Sequence, residues 1–152
     1  MPNWCENKLT IENCSSELRE YLANDGLSFE KIKPTPPEMM DGDNSWHQWR
    51  NDHWGTKWDL DEEEQRYVAD CLIAEDCAYT AQFSTAWAPP LEAIDALSKI
   101  FPHDKFVLKY FEPGVGFAGS SRISNGVRVD HEIPENDVLK FGSDEFDFST
   151  EH

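Results

Sequence analysis

The residues whose chemistry could support catalysis or metal binding are scattered along the chain. No two of the four cysteines have the two-residue spacing of a redox motif or a zinc knuckle. A Cys/His metal site that used His47 or His53 has no supporting spacing either. No serine lies in the Gly-x-Ser-x-Gly setting of a nucleophile elbow. We therefore expect no cofactor, no metal and no enzyme activity. The four cysteines are expected to be free thiols: Cys5, Cys14, Cys71 and Cys77.

One glycine-rich segment matches a dinucleotide-binding fingerprint. Gly114, Gly116 and Gly119 have the GxGxxG spacing and follow a predicted strand. The fingerprint requires a helix next, because the pyrophosphate binds at the amino end of that helix. The residues that follow are typical of a strand and an Asn125-Gly126 hairpin turn. We therefore interpret the glycines as a bend between neighbouring strands and expect no nucleotide site.

Tryptophan is the more distinctive residue type. Trp46, Trp49, Trp54 and Trp58 lie within thirteen positions, and Trp87 follows in the segment Ser-Thr-Ala-Trp-Ala-Pro-Pro. A tryptophan in a loop is costly to order unless it packs or recognises a partner. Two interpretations stay open: a small aromatic core that holds a long connection in place, or a recognition surface.

Sequence context divides these side chains between the two roles. Trp46 and Trp49 lie in a polar segment and are predicted to contact a partner. The residues Trp54, Gly55 and Trp58 adjoin a strand-like run and are predicted to be structural. The same structural role is predicted for Trp87 and for the two prolines that follow it and can open a helix, Pro89 and Pro90.

An acidic run precedes one predicted helix. Asp61 can cap that helix, Glu64 can reach back to the cap, and the other acids suit the positive end of the helix dipole. Carboxylates this close could also bind a divalent cation, but a capped helix start is the interpretation we favour. As exposed acids, Asp61, Glu62 and Glu63 are also candidates for contact with a basic partner.

Net charge is the strongest bulk signal. The chain has 30 acidic and 13 basic residues, a formal net charge of −17. Such a field repels phosphates and anionic lipids and attracts basic surfaces. We predict no direct contact with nucleic acid or membrane, and a basic host protein as partner, including one that itself binds nucleic acid. Acidity that only maintains solubility is the alternative.

A chain of 152 residues has the size of one domain. We assign residues 1–142 to it and the acidic segment 143–152 to a mobile tail, because that segment has little to bury. Asp144, Glu145 and Asp147 in this tail are further candidates for contact with a basic partner. No stretch is apolar enough to span a membrane, and no signal peptide is visible, so we expect a cytoplasmic protein. The sequence leaves the oligomeric state open.

Hydrophobic periodicity predicts a β-α-β opening. Strands are predicted over 7–12 and 27–32, around a helix over 15–24 that Ser15 or Ser16 caps. The next part is predicted to contain a loop, a short strand and a helix, over 38–52, 56–60 and 61–74.

The second half predicts another β-α-β unit and a hairpin. Strands over 79–85 and 105–111 flank a helix over 89–101, and the hairpin joins 117–124 to 127–133. Two such units on one sheet predict an α+β fold, a ferredoxin-like α/β sandwich with a mainly antiparallel sheet. The aromatic-rich segment, which contains Trp46, Trp49, Trp54 and Trp58, is predicted to be an insertion in this fold. The hairpin is predicted to lie C-terminal to the two units.

Four separated motifs resemble one family. They are Met-Pro-Asn-Trp-Cys-Glu-Asn at the start, Trp-Gly-Thr-Lys-Trp-Asp at 54–59, Ser-Thr-Ala-Trp-Ala-Pro-Pro at 84–90, and Tyr-Phe-Glu-Pro-Gly with Gly-Phe-Ala-Gly after it. In this order they are similar to phage- and plasmid-borne proteins that carry a YubB-type ferredoxin-like domain. The resemblance covers about residues 1–120. It implies the fold and a mobile-element setting and assigns no catalytic residue.

Together these features favour a non-enzymatic binding protein of a phage or plasmid. It would block a basic, nucleic-acid-binding host protein, as an anti-defence inhibitor or DNA mimic does. One alternative is a small enzyme or ligand-binding domain with a pocket lined by Trp54, Trp58 and Trp87. Another is an accessory factor for phage assembly or replication.

Overall fold

The computed structural model describes residues 3–40 and 45–148. Five β-strands form within these ranges: β1 (Trp4–Glu12), β2 (Thr80–Ala86), β3 (Lys105–Glu112), β4 (Phe117–Ser124) and β5 (Val127–Glu132). The α-helices of the same ranges are α1 (Ser16–Asp25), α2 (Phe29–Ile32), α3 (Ser45–His53), α4 (Glu62–Ile73), α5 (Leu91–Ile100) and α6 (Val138–Phe146). No helix of this part of the chain is long and apolar enough to cross a membrane.

The strands form one antiparallel sheet in the order β2-β1-β3-β4-β5. Both β2 and β3 run antiparallel to β1, which lies between them, so β2 and β3 are parallel to each other. Helix α5 joins these two strands and completes a split β-α-β unit. Strands β4 and β5 are joined by Asn125 and Gly126, both with positive φ (49° and 74°), as a type I′ turn requires. The predicted ferredoxin-like α+β fold and its hairpin are confirmed.

The sheet has two unlike faces. On the inner face, Leu9, Ile11 and Leu108 are buried with the apolar side chains of α1, α4 and α5 in the main hydrophobic core. The opposite face, which we call the outer face, carries a smaller cluster around Phe111. Helix α6 packs there, and its Gly142 lies directly on the Phe111 ring, where a Cβ atom would not fit.

Caps begin two helices where the sequence predicts them. The Ser15 side chain accepts a hydrogen bond from the Leu18 amide, 3.2 Å away, at the start of α1. Asp61 accepts one from the Glu64 amide at 2.8 Å, and three acids fill the first turn of α4. Each cap satisfies an amide that has no partner within its own helix.

The prediction of a strand over 27–32 is wrong. Phe29–Ile32 is a single helical turn, α2, because the Asp59 carboxylate lies over its amino end. Asp59 accepts hydrogen bonds from the amides of Phe29 (2.8 Å) and Glu30 (3.2 Å) and from the Ser28 hydroxyl (2.6 Å). A carboxylate about thirty residues along the chain therefore stabilises the turn, and the strand that follows α1 in the chain is β2, at Thr80–Ala86.

The predicted loop over 38–52 and the strand over 56–60 are also incorrect. Pro37–Met40 is a short 3₁₀ turn, and α3 covers Ser45–His53. Helix α3 ends at His53, and Gly55, two residues later, has a φ of 92° and donates its amide to the Arg50 carbonyl oxygen at 3.2 Å. Glycine tolerates this conformation at a helix end. Residues 56–58 are bends and 59–60 have no regular structure, because the polar groups of this segment bond to the end of β2 and to α2.

The predicted mobile tail is incorrect for residues 143–148, which include the second half of α6. Phe146 and Phe148 contact Phe111, with ring centroids 6.1 Å and 5.0 Å away. The acidic composition of the segment led to the prediction of a mobile tail, whereas these two rings supply the apolar groups that pack it on the sheet. The remainder of the predicted tail, 149–152, lies outside the described residues.

Leu97→Ala tests the main core. The Leu97 side chain of α5 is fully buried, so its truncation is expected to lower the free energy of unfolding by about 2–5 kcal/mol. Leu139→Ala on α6 is the matched control, because Leu139 is 53% exposed. Urea denaturation followed by circular dichroism measures both variants. Equal losses would contradict the assignment of α5 to the core.

Candidate recognition surface

Three motif segments meet at one end of the sheet. Trp4, in the first motif, pairs with Ala86 at the end of β2. The amide of Trp87, the next residue, donates a hydrogen bond to the Asn3 carbonyl oxygen at 2.8 Å. Thr56, from the second motif, donates its hydroxyl to the Ala86 carbonyl oxygen at 2.8 Å. Segments distant in sequence are thus joined through the last residues of β2.

This end of the sheet exposes three tryptophans, which we call the tryptophan surface. Trp4 and Trp87 are each 45% exposed, and Trp58 is 39% exposed. The Trp4 and Trp58 rings contact each other with centroids 6.3 Å apart, and the Lys57 ammonium lies 4.6 Å from the Trp58 ring. Large aromatic side chains left this open in a folded domain are unusual and typical of binding sites.

The backbone under Trp87 is strained and tightly held. Its φ of 69° is a left-handed conformation that is rare for a bulky residue. The bond from its amide to Asn3 maintains this geometry, together with a 2.8 Å bond from the Ala88 amide to the Ala86 carbonyl oxygen. Strain of this kind costs about 1–3 kcal/mol and persists where the surroundings over-determine it, often at functional sites. Pro89 and Pro90 then lead into α5.

Buried polar groups support the tryptophan surface from the inner face. The Asn7 side chain is fully buried and donates to the Thr85 hydroxyl at 2.9 Å. Thr85 in turn donates to the Ala88 carbonyl oxygen at 2.6 Å, directly after Trp87. These buried hydrogen bonds link the Asn7 amide nitrogen to the chain just after Trp87 and restrict the positions that this chain can adopt. Hydrogen bonds therefore hold the backbone that carries the tryptophan surface.

The fourth motif reaches the same end of the sheet through a buried carboxylate. Glu112 is fully buried and accepts hydrogen bonds from the amides of Gly114 (2.7 Å) and Val115 (2.6 Å). Gly114 lies against Asn3, and a Cβ there would come within 2.8 Å of the Asn3 side chain. Gly114 and Gly116 lie in the predicted bend between β3 and β4, whereas Gly119 lies within β4, so a strand follows the bend.

Cys5 lies in this polar layer and is a poor nucleophile. Burial, and then the charge of Glu112, raise the pKa of its thiol to about 12. The reactive form of a cysteine is the thiolate, so this side chain stays unreactive near neutral pH. Among the described residues, no group of three or more His, Cys, Asp or Glu side chains is arranged to hold a metal ion.

The structure places the predicted structural tryptophans in different environments. Trp54 is fully buried and donates its indole N–H to the Lys33 carbonyl oxygen at 2.9 Å. Gly55 beside it approaches α5 so closely that a Cβ would lie 2.6 Å from the Pro89 carbonyl oxygen. Trp58 and Trp87 are exposed instead. A pocket lined by all three tryptophans is not formed, because Trp54 lies in the core.

Trp46 and Trp49 lie on helix α3 and are both half-buried. The Trp49 ring packs edge-on against Trp54, with centroids 6.3 Å apart, and so extends the core. The Trp46 ring lies 4.8 Å from the Arg50 guanidinium. Their predicted contact with a partner stays a prediction, and the structure gives Trp46 the greater freedom to make one.

The acidic candidates divide into two groups. Asp61, Glu62 and Glu63 are exposed at the start of α4, three to five residues after Trp58. Asp144, Glu145 and Asp147 belong to α6 and its end. Glu145 is already paired, with Lys109 at 3.1 Å and Lys8 at 3.8 Å. The α4 acids therefore lie nearer to the tryptophan surface in sequence and are open to solvent.

Sequence reasoning missed Trp4, although a signal for it is present. Side chains alternate between the two faces of a strand. Leu9 and Ile11 are the predicted inward residues of β1, so the even positions, Trp4 among them, point outward. Extending the predicted strand from residue 7 back to residue 4 would have placed an exposed tryptophan at its start.

Comparison with known proteins identifies the family. A family model described as "Ferredoxin-like domain in Api92-like protein" matches residues 53–151. Among solved structures, the crystal structure of the protein api92 from Yersinia pseudotuberculosis is 16% identical, with a TM-score of 0.43. The match covers 68% of this chain and 39% of that one. No curated protein matches significantly. The chain belongs to the family of Api92-like proteins with this C-terminal ferredoxin-like domain.

Proposed function

We propose that this protein is a non-enzymatic binding protein of a phage or plasmid, which engages a basic host protein and inhibits it. The partner contacts the tryptophan surface, and the acidic charge of the chain attracts it. The resemblance of the sequence motifs to YubB-type proteins supports the mobile-element setting. The partner class includes proteins that bind nucleic acid, whose basic surfaces an acidic inhibitor can cover.

The observation that carries this proposal is the exposure of three tryptophans on an ordered base. Trp4, Trp58 and Trp87 are 39–45% exposed. The backbone around them is held by a hydrogen bond from the Trp87 amide to the Asn3 carbonyl oxygen and by bonds that the Thr56 and Thr85 hydroxyls donate. Tryptophan is enriched among residues whose truncation costs about 2 kcal/mol or more of binding free energy. A rigid aromatic side chain also loses little conformational entropy when it binds.

Charge supports a basic partner in particular. The net charge is −17, and Asp61, Glu62 and Glu63 are exposed close to Trp58 in sequence. Exposed charges of this kind mainly accelerate association, whereas buried aromatic contacts mainly slow dissociation. The proposal therefore separates two effects that kinetics can measure.

The test is affinity capture from a bacterial host lysate, followed by surface-based kinetics with the protein that is captured. Trp58→Ala is expected to raise the dissociation rate at least about tenfold, equivalent to about 1.4 kcal/mol. Neutralising Asp61, Glu62 and Glu63 is expected to slow association and reduce its salt dependence. Leu139→Ala, an exposed apolar position on α6, is the control and should change neither rate.

Two outcomes would contradict the proposal. One is a partner whose kinetics are unaffected by truncation of Trp4, Trp58 or Trp87. The other is binding that is indifferent to salt, in which case the acidity serves only solubility. Trp46→Ala in the same experiment tests the helix α3 candidate. An effect there, with none at Trp58, would move the contact to α3.

A further inference from the structure

The outer face of the sheet has a charge balance opposite to that of the whole chain. Among the strand residues that point to this face, the charged ones are four bases and two acids: Lys8, Lys105, Lys109, Arg122, Glu6 and Glu12. The chain as a whole has 13 bases and 30 acids. The sheet therefore gathers positive charge on one surface of a strongly acidic protein, and such a surface attracts anionic groups.

Helix α6 shows which chemistry this face accepts. Its Glu145 carboxylate lies 3.1 Å from the Lys109 ammonium and 3.8 Å from that of Lys8. The Phe146 ring, next in sequence, stacks on Phe111 and lies 5.6 Å from the Lys8 ammonium. Glu145 thus contacts the lysines, while its neighbour Phe146 packs on the apolar part of the outer face.

The half of the outer face beyond α6 also combines basic and apolar side chains, and no element of residues 3–40 and 45–148 covers it. Val127 and Val129 of the edge strand β5 are 66% and 65% exposed. They line a shallow groove of about 300 Å³ together with Val107, Lys105 and Arg122. The Arg122 side chain is 72% exposed, and its 3.2 Å pair with Glu12 is a surface contact that contributes little to stability. Cations and exposed valines therefore lie side by side here, and we call this region the open half.

We infer that the open half is a docking surface for an acidic amphipathic segment of a partner protein, which lies beside α6. The charge of the face favours carboxylates, and the three valines favour apolar side chains on the same segment. Helix α6 contacts the adjoining part of the outer face and already presents an acidic and an aromatic side chain from one segment. This surface is on the sheet face, separate from the acidic helix start proposed to attract a basic partner, and does not depend on that proposal.

A nucleic acid fits the open half less well. Binding of single strands to a sheet relies on aromatic side chains that stack on the bases. The outward residues of the open half are valines, small polar residues, cations and one acid, Glu12, with no Phe, Tyr or Trp among them.

The test uses a synthetic peptide with the sequence of residues 138–148, which carries the acidic and aromatic side chains of α6 and its end. The peptide is titrated into the full-length protein, and backbone amide shifts are followed by NMR. We expect shifts at Val107, Val127 and Val129. Reversing two charges, with Lys105→Glu and Arg122→Glu, is expected to weaken binding at least about tenfold.

Two controls separate this surface from general electrostatics. Lys31→Glu with Arg66→Glu makes the same change in net charge at exposed positions of the helical layer, and should leave binding nearly unchanged. A peptide in which Asp144, Glu145 and Asp147 are replaced by their amides should bind much more weakly. Circular dichroism of each variant establishes that the fold is retained.

The inference is overturned by any of four results. The peptide does not bind, or its shifts map to Lys8 and Phe111 because it exchanges with α6. Alternatively, the paired controls weaken binding as much as the reversal at Lys105 and Arg122. A single-stranded oligonucleotide that binds the open half when the peptide does not would also overturn it and would assign the surface to nucleic acid.

Discussion

Trp54→Ala is expected to lower the free energy of unfolding by about 3–5 kcal/mol. The Trp54 side chain is fully buried and lies 5.9 Å from the Phe29 ring and 6.3 Å from the Trp49 ring, between centroids. Its truncation opens a cavity that the surrounding helices cannot fill without moving. The Lys33 carbonyl oxygen also loses its indole donor. Urea denaturation followed by circular dichroism measures the change.

Trp58→Ala is the matched control, because it removes the same side chain from the surface. Trp58 is 39% exposed and contacts Trp4 and Lys57, so a loss below about 1 kcal/mol is expected. Trp54→Phe keeps most of the packing and should cost about 1–3 kcal/mol for the unpaired carbonyl oxygen. If Trp54→Ala and Trp58→Ala were equally destabilising, the division into a core tryptophan and a surface tryptophan would be wrong.

Glu112→Ala is expected to cost about 3–6 kcal/mol of folding free energy, because two hydrogen bonds to a charged group contribute about 1.5–3 kcal/mol each. The carboxylate is fully buried and accepts from the Gly114 and Val115 amides. Without it, both amides in the turn between β3 and β4 lose their acceptor. Thermal unfolding monitored by circular dichroism gives the change in stability.

Glu132→Ala provides the comparison at a glutamate on the edge strand β5. Glu132 is exposed, so its removal is expected to change stability by less than about 0.5 kcal/mol. Glu112→Gln keeps one carbonyl oxygen for one of the two amides and should fall between the two alanine variants. A Glu112→Ala protein as stable as the Glu132→Ala protein would mean that water replaces the carboxylate in the turn.

Local rules account for most of the regular structure. The caps at Ser15 and Asp61 predict the starts of α1 and α4, because a capping side chain acts within three residues of itself. The Asn125-Gly126 turn predicts the β4–β5 hairpin for the same reason: its backbone preference is local. These signals depend on neighbours in sequence, so they are readable without the fold.

The errors arise where a distant residue decides the local conformation. The alternation of Leu27 and Phe29 suits a strand, but Asp59 supplies the hydrogen bonds that make this segment a helical turn. In the same way, the acidic segment 143–148 is ordered because its aromatic rings find Phe111 on the outer face. The composition of such a segment predicts disorder, because it does not include the apolar surface on which the segment packs. That surface is formed by residues elsewhere in the chain.

For the candidate site, the sequence by itself determined that tryptophans and acidic charge are the distinctive features of this protein. It also determined the fold class, through periodicity and turn residues. Only the tertiary structure decided which tryptophans face solvent: Trp54 goes into the core, while Trp4, Trp58 and Trp87 meet at one end of the sheet. The physical reason is that burial depends on what packs against a side chain. Those neighbours come from strand register and helix packing, over separations that no local pattern encodes.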